Sequence, residues 1–319
     1  MLALSSSILP PETRSIDETV SRLLDPGIGA VILGAQIDGG TLPGVCREIV
    51  ASGTPIVALR CPCPGPRRPR PDEPSLFASD SQERESAIEE ALATLQYAAR
   101  CEAPIVVISA AVLAVPDCGP RLRKLSGLGE GDGEEARLLR ERLETTIQEV
   151  IGSAWDALCF SLERLIVSCL RLEIELALTN PGLPHGFPRQ EEWPRLSTEF
   201  SGAPLARWFD PVASVLRQQI GLEEKPCGDS EEAVQILGCD VKDLGKNGEV
   251  VAAGDGEIDL VAALSQVPSE ALRSLELPQG CPMSEIKRAC DYLRGAHLDG
   301  DPPSPPCDPF PIIGSPPEE

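Results

Sequence analysis

Apolar residues gather along this chain in short runs, and the stretches between the runs carry helical spacing. The runs at 2–8, 29–34, 55–60, 104–110, 172–179, 204–210, 234–240 and 271–277 are rich in Val, Ile, Leu and Ala and do not alternate cleanly with polar residues. Continuous apolar runs of this length mark parallel strands covered by helices. Residues 81–100 place Ile88, Ala91, Leu92, Leu95, Ala98 and Ala99 three and four positions apart. A longer segment, 134–171, continues that spacing through Leu143, Ile147, Val150, Ala154, Leu158, Leu162 and Leu165. Ser284 is placed to cap a last helix bearing Ile286, Ala289, Cys290 and Leu293. Eight strands alternating with about eight helices predict the α/β class and a (β/α)8 TIM barrel, one domain over residues 1–296. The runner-up is a doubly wound open sheet, which wants a glycine-rich phosphate turn after an early strand. "LGAQIDGG" (33–40) lacks the G-x-G-x-x-G spacing.

Two segments stand outside the alternation. "CPCPGPRRPRPDEP" (61–74) reads as a proline-rich loop after strand three. Residues 297–319, ending "DGDPPSPPCDPFPIIGSPPEE", read as a proline-rich tail expected to be irregular or disordered.

Charge narrows the function classes. The chain carries 28 Lys and Arg against 50 Asp and Glu, a formal net charge of −22. That field repels nucleic acid and anionic membranes, a local patch at Arg67, Arg68 and Arg70 notwithstanding. No run approaches the roughly 18 apolar residues of a membrane helix. "MLALSSSILPP" lacks the basic start and long apolar run of a signal peptide. The expectation is a cytoplasmic protein with no nucleic-acid or membrane partner and an open oligomeric state. The 12 cysteines show no C-x-x-C spacing and the chain has 2 histidines, His185 and His297, so a zinc module is not expected. The cysteines are expected to be reduced, small and mostly buried.

In a βα barrel, chemistry belongs at the C-terminal strand ends. Strand five closes on Thr179 and Asn180, strand six on Asp210, strand seven on Asp240, Lys242 and Asp243, and strand eight carries Glu276. Side chains alternate along a strand, so Leu172, Ile174, Leu176 and Leu178 are expected to face the helices and Glu175, Ala177 and Thr179 the lumen. Leu272, Ser274 and Glu276 likewise share one parity. Asp210, Asp240 and Glu276 are then three oxygen donors at one mouth, a set suited to Mg²⁺ or Mn²⁺. The plain alternative is three solvated strand-end or cap carboxylates.

At these residues the chain resembles the xylose isomerase-like TIM-barrel superfamily, the sugar phosphate isomerase/epimerase group, over about residues 1–296. "SQERESAIEEALATLQYAARCEAPIVVIS" resembles that group's third helix and fourth strand. "LALTNPGLPHGFP" is similar to its strand-five A-L-E-N segment, and "LARWFDPVAS" to its D-x-G-H-A segment. "GCDVKDLGKNGEVVAAGDGEID" looks like H-x-K-D followed by a glycine-rich loop, and "LRSLELPQGCPMSEIKRACDYLRG" like the closing strand and final helix. The resemblance implies a divalent metal held by Glu, Asp, His and Glu, the two glutamates also shuttling a proton between neighbouring sugar carbons. Carried over by position, the first Glu falls on Thr179, the Asp on Asp210, the His on Asp240 and the last Glu on Glu276. The histidine of D-x-G-H falls on Ala213, with Val212 for the glycine, and Lys242 and Asp243 match the K-D pair.

Two of four ligands are thus replaced, and Mn²⁺ or Mg²⁺ binding is expected to be weak or absent. Thr179 cannot abstract a carbon-bound proton, so of the two bases Glu276 alone remains. The first reading is a sugar or sugar-phosphate isomerase/epimerase with a modified site: Asp210, Asp240 and Glu276 on the metal, Glu276 as base, and Lys242 polarising a substrate oxygen. Asn180, His185 and Asp243 are candidate contacts to a sugar-like ligand. His185 weighs more as a plain loop histidine than as a displaced base. "AGDGEID" (253–259) supplies glycines that permit a close backbone approach. The alternative is an inactive pseudoenzyme binding a small molecule or a protein. A metal nuclease on the same fold is disfavoured by the two histidines and the charge.

Overall fold

In the computed structural model, residues 1–10, 15–65, 75–109, 112–179, 183–222, 235–246 and 248–300 are described. Eight parallel strands close on themselves: β1 (Leu2–Ser5), β2 (Val31–Leu33), β3 (Ile56–Arg60), β4 (Ile105–Ser109), β5 (Glu175–Thr179), β6 (Leu205–Phe209), β7 (Ile236–Val241) and β8 (Leu272–Leu275). β8 pairs with both β1 and β7, which completes the barrel and leaves it without an edge strand. Helices follow the strands in turn: α1 (Ile16–Leu24), α2 (Leu42–Ala51), α3 (Ser81–Arg100), α4 (Gly119–Gly127), α5 (Glu134–Leu172), α6 (Trp193–Glu199), α7 (Pro211–Gln219), α8 (Leu260–Leu264) and α9 (Met283–Gly295). The protein is a (β/α)8 barrel. Among the described residues, no helix is long and apolar enough to cross a membrane.

Strand parity sorts the core into two layers. Leu176, Leu178, Cys239, Val241 and Leu275 join the large cluster between strands and helices. Ala3, Ala30, Ile32, Ala58, Val107, Ala177, Trp208 and Leu272 form a separate cluster in the lumen. Small alanines there leave room for one large ring, that of Trp208.

Three local expectations are corrected. The first strand stops at Ser5, whose hydroxyl accepts from Ser7 N (3.2 Å) and turns Ser6–Ile8 into a short 3₁₀ helix. Leu172 belongs to α5 rather than to strand five. The helical spacing runs on through Cys169, and the helix stops only where Glu173 turns left-handed (φ 56°). Ser284 is not the cap of α9, which starts one residue earlier behind Pro282. The cysteines divide as well: Cys46 in α2 and Cys101 at the end of α3 form a disulfide (Cα–Cα 5.8 Å). Cys63, Cys118, Cys159, Cys169, Cys239, Cys281 and Cys290 are free thiols. Residues 301–319 of the expected tail lie outside the described residues.

Candidate functional site

The C-terminal ends of β3, β6, β7 and β8 bring five charged groups together. Asp210 follows β6 directly and is the N-cap of α7: its Oδ1 accepts from Ala213 N at 3.0 Å, and its Oδ2 receives the Lys242 ammonium. Ala213 therefore serves by its backbone where the resemblance implies a histidine side chain. Asp240, on the lumen side of β7, accepts on Oδ1 from Arg60 Nη2 (2.5 Å) and from the Trp208 indole N–H (2.6 Å). Glu276 accepts on Oε1 from the Ser274 hydroxyl (2.8 Å) and from Arg60 Nη2 (3.2 Å). Arg60 reaches these carboxylates from β3, on the far side of the barrel, passing 5.7 Å from the centre of the Trp208 ring.

A glycine makes this geometry possible. Trp208 lies opposite Gly238 on β7, and a Cβ there would sit 2.4 Å from the ring. Only a residue with no side chain leaves the indole its place against the strand, with its N–H on Asp240, two residues further on.

The charges fix one another. Burial alone would raise the carboxyl pKa of Asp240, but Arg60, Lys242 and the Trp208 N–H outweigh it and hold the group below its usual range. Burial would likewise lower Lys242, yet Asp210, Asp240 and Glu276 raise it above the ordinary lysine value. Burial opposes the charge of Arg60 too, and Asp240 and Glu276 reverse that effect. The mouth thus gathers three acidic side chains, Asp210, Asp240 and Glu276, around two basic ones, Arg60 and Lys242.

The remaining expected residues lie as follows. Thr179 is buried at the end of β5, in register with Ser109 on one side and Trp208 on the other. Asn180 lies outside the described residues. His185 is buried in the loop after β5, its Nδ1 3.8 Å from Asp117 Oδ1 and its carbonyl accepting from Leu113 N. Burial lowers its pKa despite Asp117, which keeps it neutral near pH 7. Asp243 was expected at the ligand. Its carboxylate instead accepts backbone N–H groups from Leu244 (2.8 Å), Gly254 (3.1 Å), Gly256 (3.0 Å) and Ile258 (3.1 Å). It organises the 253–259 loop from beneath and is 1 % exposed, so its oxygens are already committed. Asp243→Asn turns one acceptor into a donor facing backbone donors and should cost about 1–3 kcal/mol. Hydrogen exchange should locate the loss at the amides of 254–258, and unchanged protection there would contradict this role.

The expectation of a divalent ion on Asp210, Asp240 and Glu276 does not fit these contacts. The three carboxylates do stand at one mouth. Both oxygens of Asp210 are bonded, and the oxygens of Asp240 and Glu276 that converge are shared with Arg60. Among the described residues no group of three or more His, Cys, Asp or Glu is arranged to hold a metal.

No family model and no curated protein matches the sequence. The barrel, by contrast, superposes on solved sugar epimerases. A D-tagatose 3-epimerase-like protein matches with a TM-score of 0.61 at 10 % identity, over 93 % of this chain and 96 % of its own. A 3-keto-D-glucoside 4-epimerase from E. coli gives 0.62 at 13 %, over 92 % and 98 %. An L-ribulose 3-epimerase gives 0.63 at 12 %, over 93 % and 94 %. The chain shares the (β/α)8 barrel fold of these proteins.

Three residues of this mouth escaped the reading of strand ends five to eight. Arg60 ends "PIVALR", and its position closing an apolar strand was the available signal. Trp208 reads as one more strand hydrophobe, although its parity with Asp210 places it in the lumen. Ser274 was assigned the correct face but no partner.

Proposed function

We propose that this chain is a sugar-binding barrel of the isomerase/epimerase type that keeps a polar cradle for a small hydroxylated ligand and lacks the two-base proton shuttle. The observation that carries this reading is the asymmetry of the mouth. Glu276 stands on the β8 side with Ser274 and Arg60 on its Oε1, and the counterpart place on β5 is Thr179 beside Trp208. Moving a proton between two faces of a sugar needs a base on each, and a threonine hydroxyl at neutral pH is not one. Binding makes no such demand. Arg60 and Lys242 donate, the carboxylates accept, and the indole offers an apolar wall, a combination suited to a sugar. The names of the structural neighbours, a D-tagatose 3-epimerase-like protein, an L-ribulose 3-epimerase and a 3-keto-D-glucoside 4-epimerase, support the same ligand class.

A second reading, turnover with Glu276 as base and Lys242 polarising a substrate oxygen, is favoured by one detail. Among the described residues both hydrogen bonds to Glu276 fall on Oε1, which leaves Oε2 for a ligand. Thermal unfolding with D-tagatose, L-ribulose and D-fructose separates the readings. Ligand at about a hundredfold over its Kd should stabilise the fold by about 2.7 kcal/mol. Deuterium uptake from D₂O at a sugar carbon would establish turnover, and its absence beside clear stabilisation would establish binding alone. No stabilisation by any of the three sugars would overturn the proposal.

A further inference from the structure

We propose that Arg60 and Lys242 are the resident cations of this mouth, together occupying the place of a divalent ion among Asp210, Asp240 and Glu276, so that the site operates without metal. The inference concerns the same mouth as the proposed sugar site but does not depend on which ligand enters it.

Charge is the first support. Three carboxylates in a buried mouth repel one another and need compensation. One divalent ion would supply two positive charges, and so do one guanidinium and one ammonium. Geometry is the second. A hard cation needs several oxygens converging on it at about 2.0–2.6 Å, with their lone pairs free. Here the converging oxygens already accept hydrogen bonds. Arg60 Nη2 stands between Asp240 Oδ1 (2.5 Å) and Glu276 Oε1 (3.2 Å), bridging β7 and β8, and the Lys242 ammonium is seated on Asp210 Oδ2. The bridging nitrogen thus holds the point where an ion would have to sit.

Chemistry is the third. A guanidinium cannot lose its proton to make way for a metal, since its pKa stays above about 12 in proteins. The carboxylate contacts strengthen that resistance for Arg60. The Trp208 N–H adds a neutral donor to the same Asp240 oxygen, which Arg60 already shares. Both cations are covalently part of the barrel, so the compensation is not lost on dilution or chelation. The two replacements noted in the sequence also take on a common sense. Without a metal to bind, a glutamate at Thr179 would add a fourth, uncompensated negative charge beside Trp208. Asp240, unlike a histidine, can accept from Arg60.

The test is calorimetric titration of Mn²⁺ into chelator-treated full-length protein. Wild type should take up no ion at the mouth below about 1 mM. Arg60→Met with Lys242→Met frees the three carboxylates while keeping apolar volume, and should bind Mn²⁺ at least about tenfold more tightly than wild type. Adding Asp240→Asn to that variant should remove the gain, which separates the mouth from general attraction to an acidic protein. If the double variant does not fold in buffer, it should be refolded with Mn²⁺, and Arg60→Met should be titrated alone. One equivalent bound tightly by wild type and lost in Asp240→Asn would overturn the inference. So would variants that gain nothing. The sugar proposal is read separately, from stabilisation of metal-free wild type, so either can fail without the other.

Discussion

Arg60→Ala should destabilise the barrel by about 3 kcal/mol at pH 7.5, and the loss should shrink as the solution is acidified. Removing one member of a buried ionic group leaves its partners charged and without compensation, which generally costs more than the group contributed when intact. Arg60 is the donor shared by Asp240 and Glu276, both largely buried, so its loss strands two carboxylates at once. The pH dependence follows from sign. In wild type, burial is outweighed by Arg60 and Lys242 and the carboxyl pKa of Asp240 is depressed. Its contribution is therefore present above the unfolded value of about 3.9 and is lost only as pH falls through the lower, folded value. Without Arg60 the effect of burial is less opposed and the carboxyl pKa moves up. The variant then takes up a proton in the folded state at a higher pH than wild type does, and recovers part of the lost stability as the solution is acidified. Urea unfolding of both proteins at pH 7.5 and pH 5 measures the difference. A gap that is equal at the two pH values would mean that Arg60 acts through packing rather than charge.

Trp208→Ala should be costlier still, at about 4 kcal/mol, and its effect should be tied to Gly238. Trp208 is 1 % exposed and is the largest side chain of a lumen otherwise lined mainly by alanines and aliphatic residues, which cannot collapse into the space it leaves. Trp208→Phe should cost less, since it keeps much of the ring and loses chiefly the N–H to Asp240. Gly238→Ala should destabilise wild type strongly, because the new methyl group would stand within 2.4–2.8 Å of three ring atoms. In the Trp208→Ala background that clash is absent, and Gly238→Ala should be neutral or stabilising. A double-mutant cycle therefore predicts a large coupling of the two sites. Additive effects would show that the ring does not lie across Gly238 in solution.

The sequence makes the barrel legible because its signals are local. Apolar runs, helical spacing and strand parity each act within about twenty residues, and Leu176, Ala177 and Leu178 sort to the faces their parity assigns. Four of the mouth's five charged groups are legible for the same reason, since Asp210, Asp240, Lys242 and Glu276 stand at the ends of strands that can be found. The partner of Asp240 and Glu276 is not. Arg60 lies 180 residues from Asp240 and 216 from Glu276, and an arginine before a proline-rich loop reads as a solvated strand end. Asp243 misleads in the opposite direction. In a polar stretch it looks exposed, and only the loop folding back over it, with amides from residues up to 15 positions away, makes it structural. Errors of boundary, as at Leu172, arise where helical and strand patterns share the same apolar residues.

The Cys46–Cys101 bond has a topological consequence for this mouth. It closes a covalent ring of chain with a sequence separation of 55 residues, and β3 lies inside that ring. Scission of any single peptide bond between the two cysteines therefore opens the ring without dividing the molecule. Any cut after residue 60 and before Cys101 leaves Arg60 on the fragment anchored through Cys46, still fastened to the polypeptide that carries Asp240 and Glu276. Reduction turns the same cut into a separation of the guanidinium from its carboxylates.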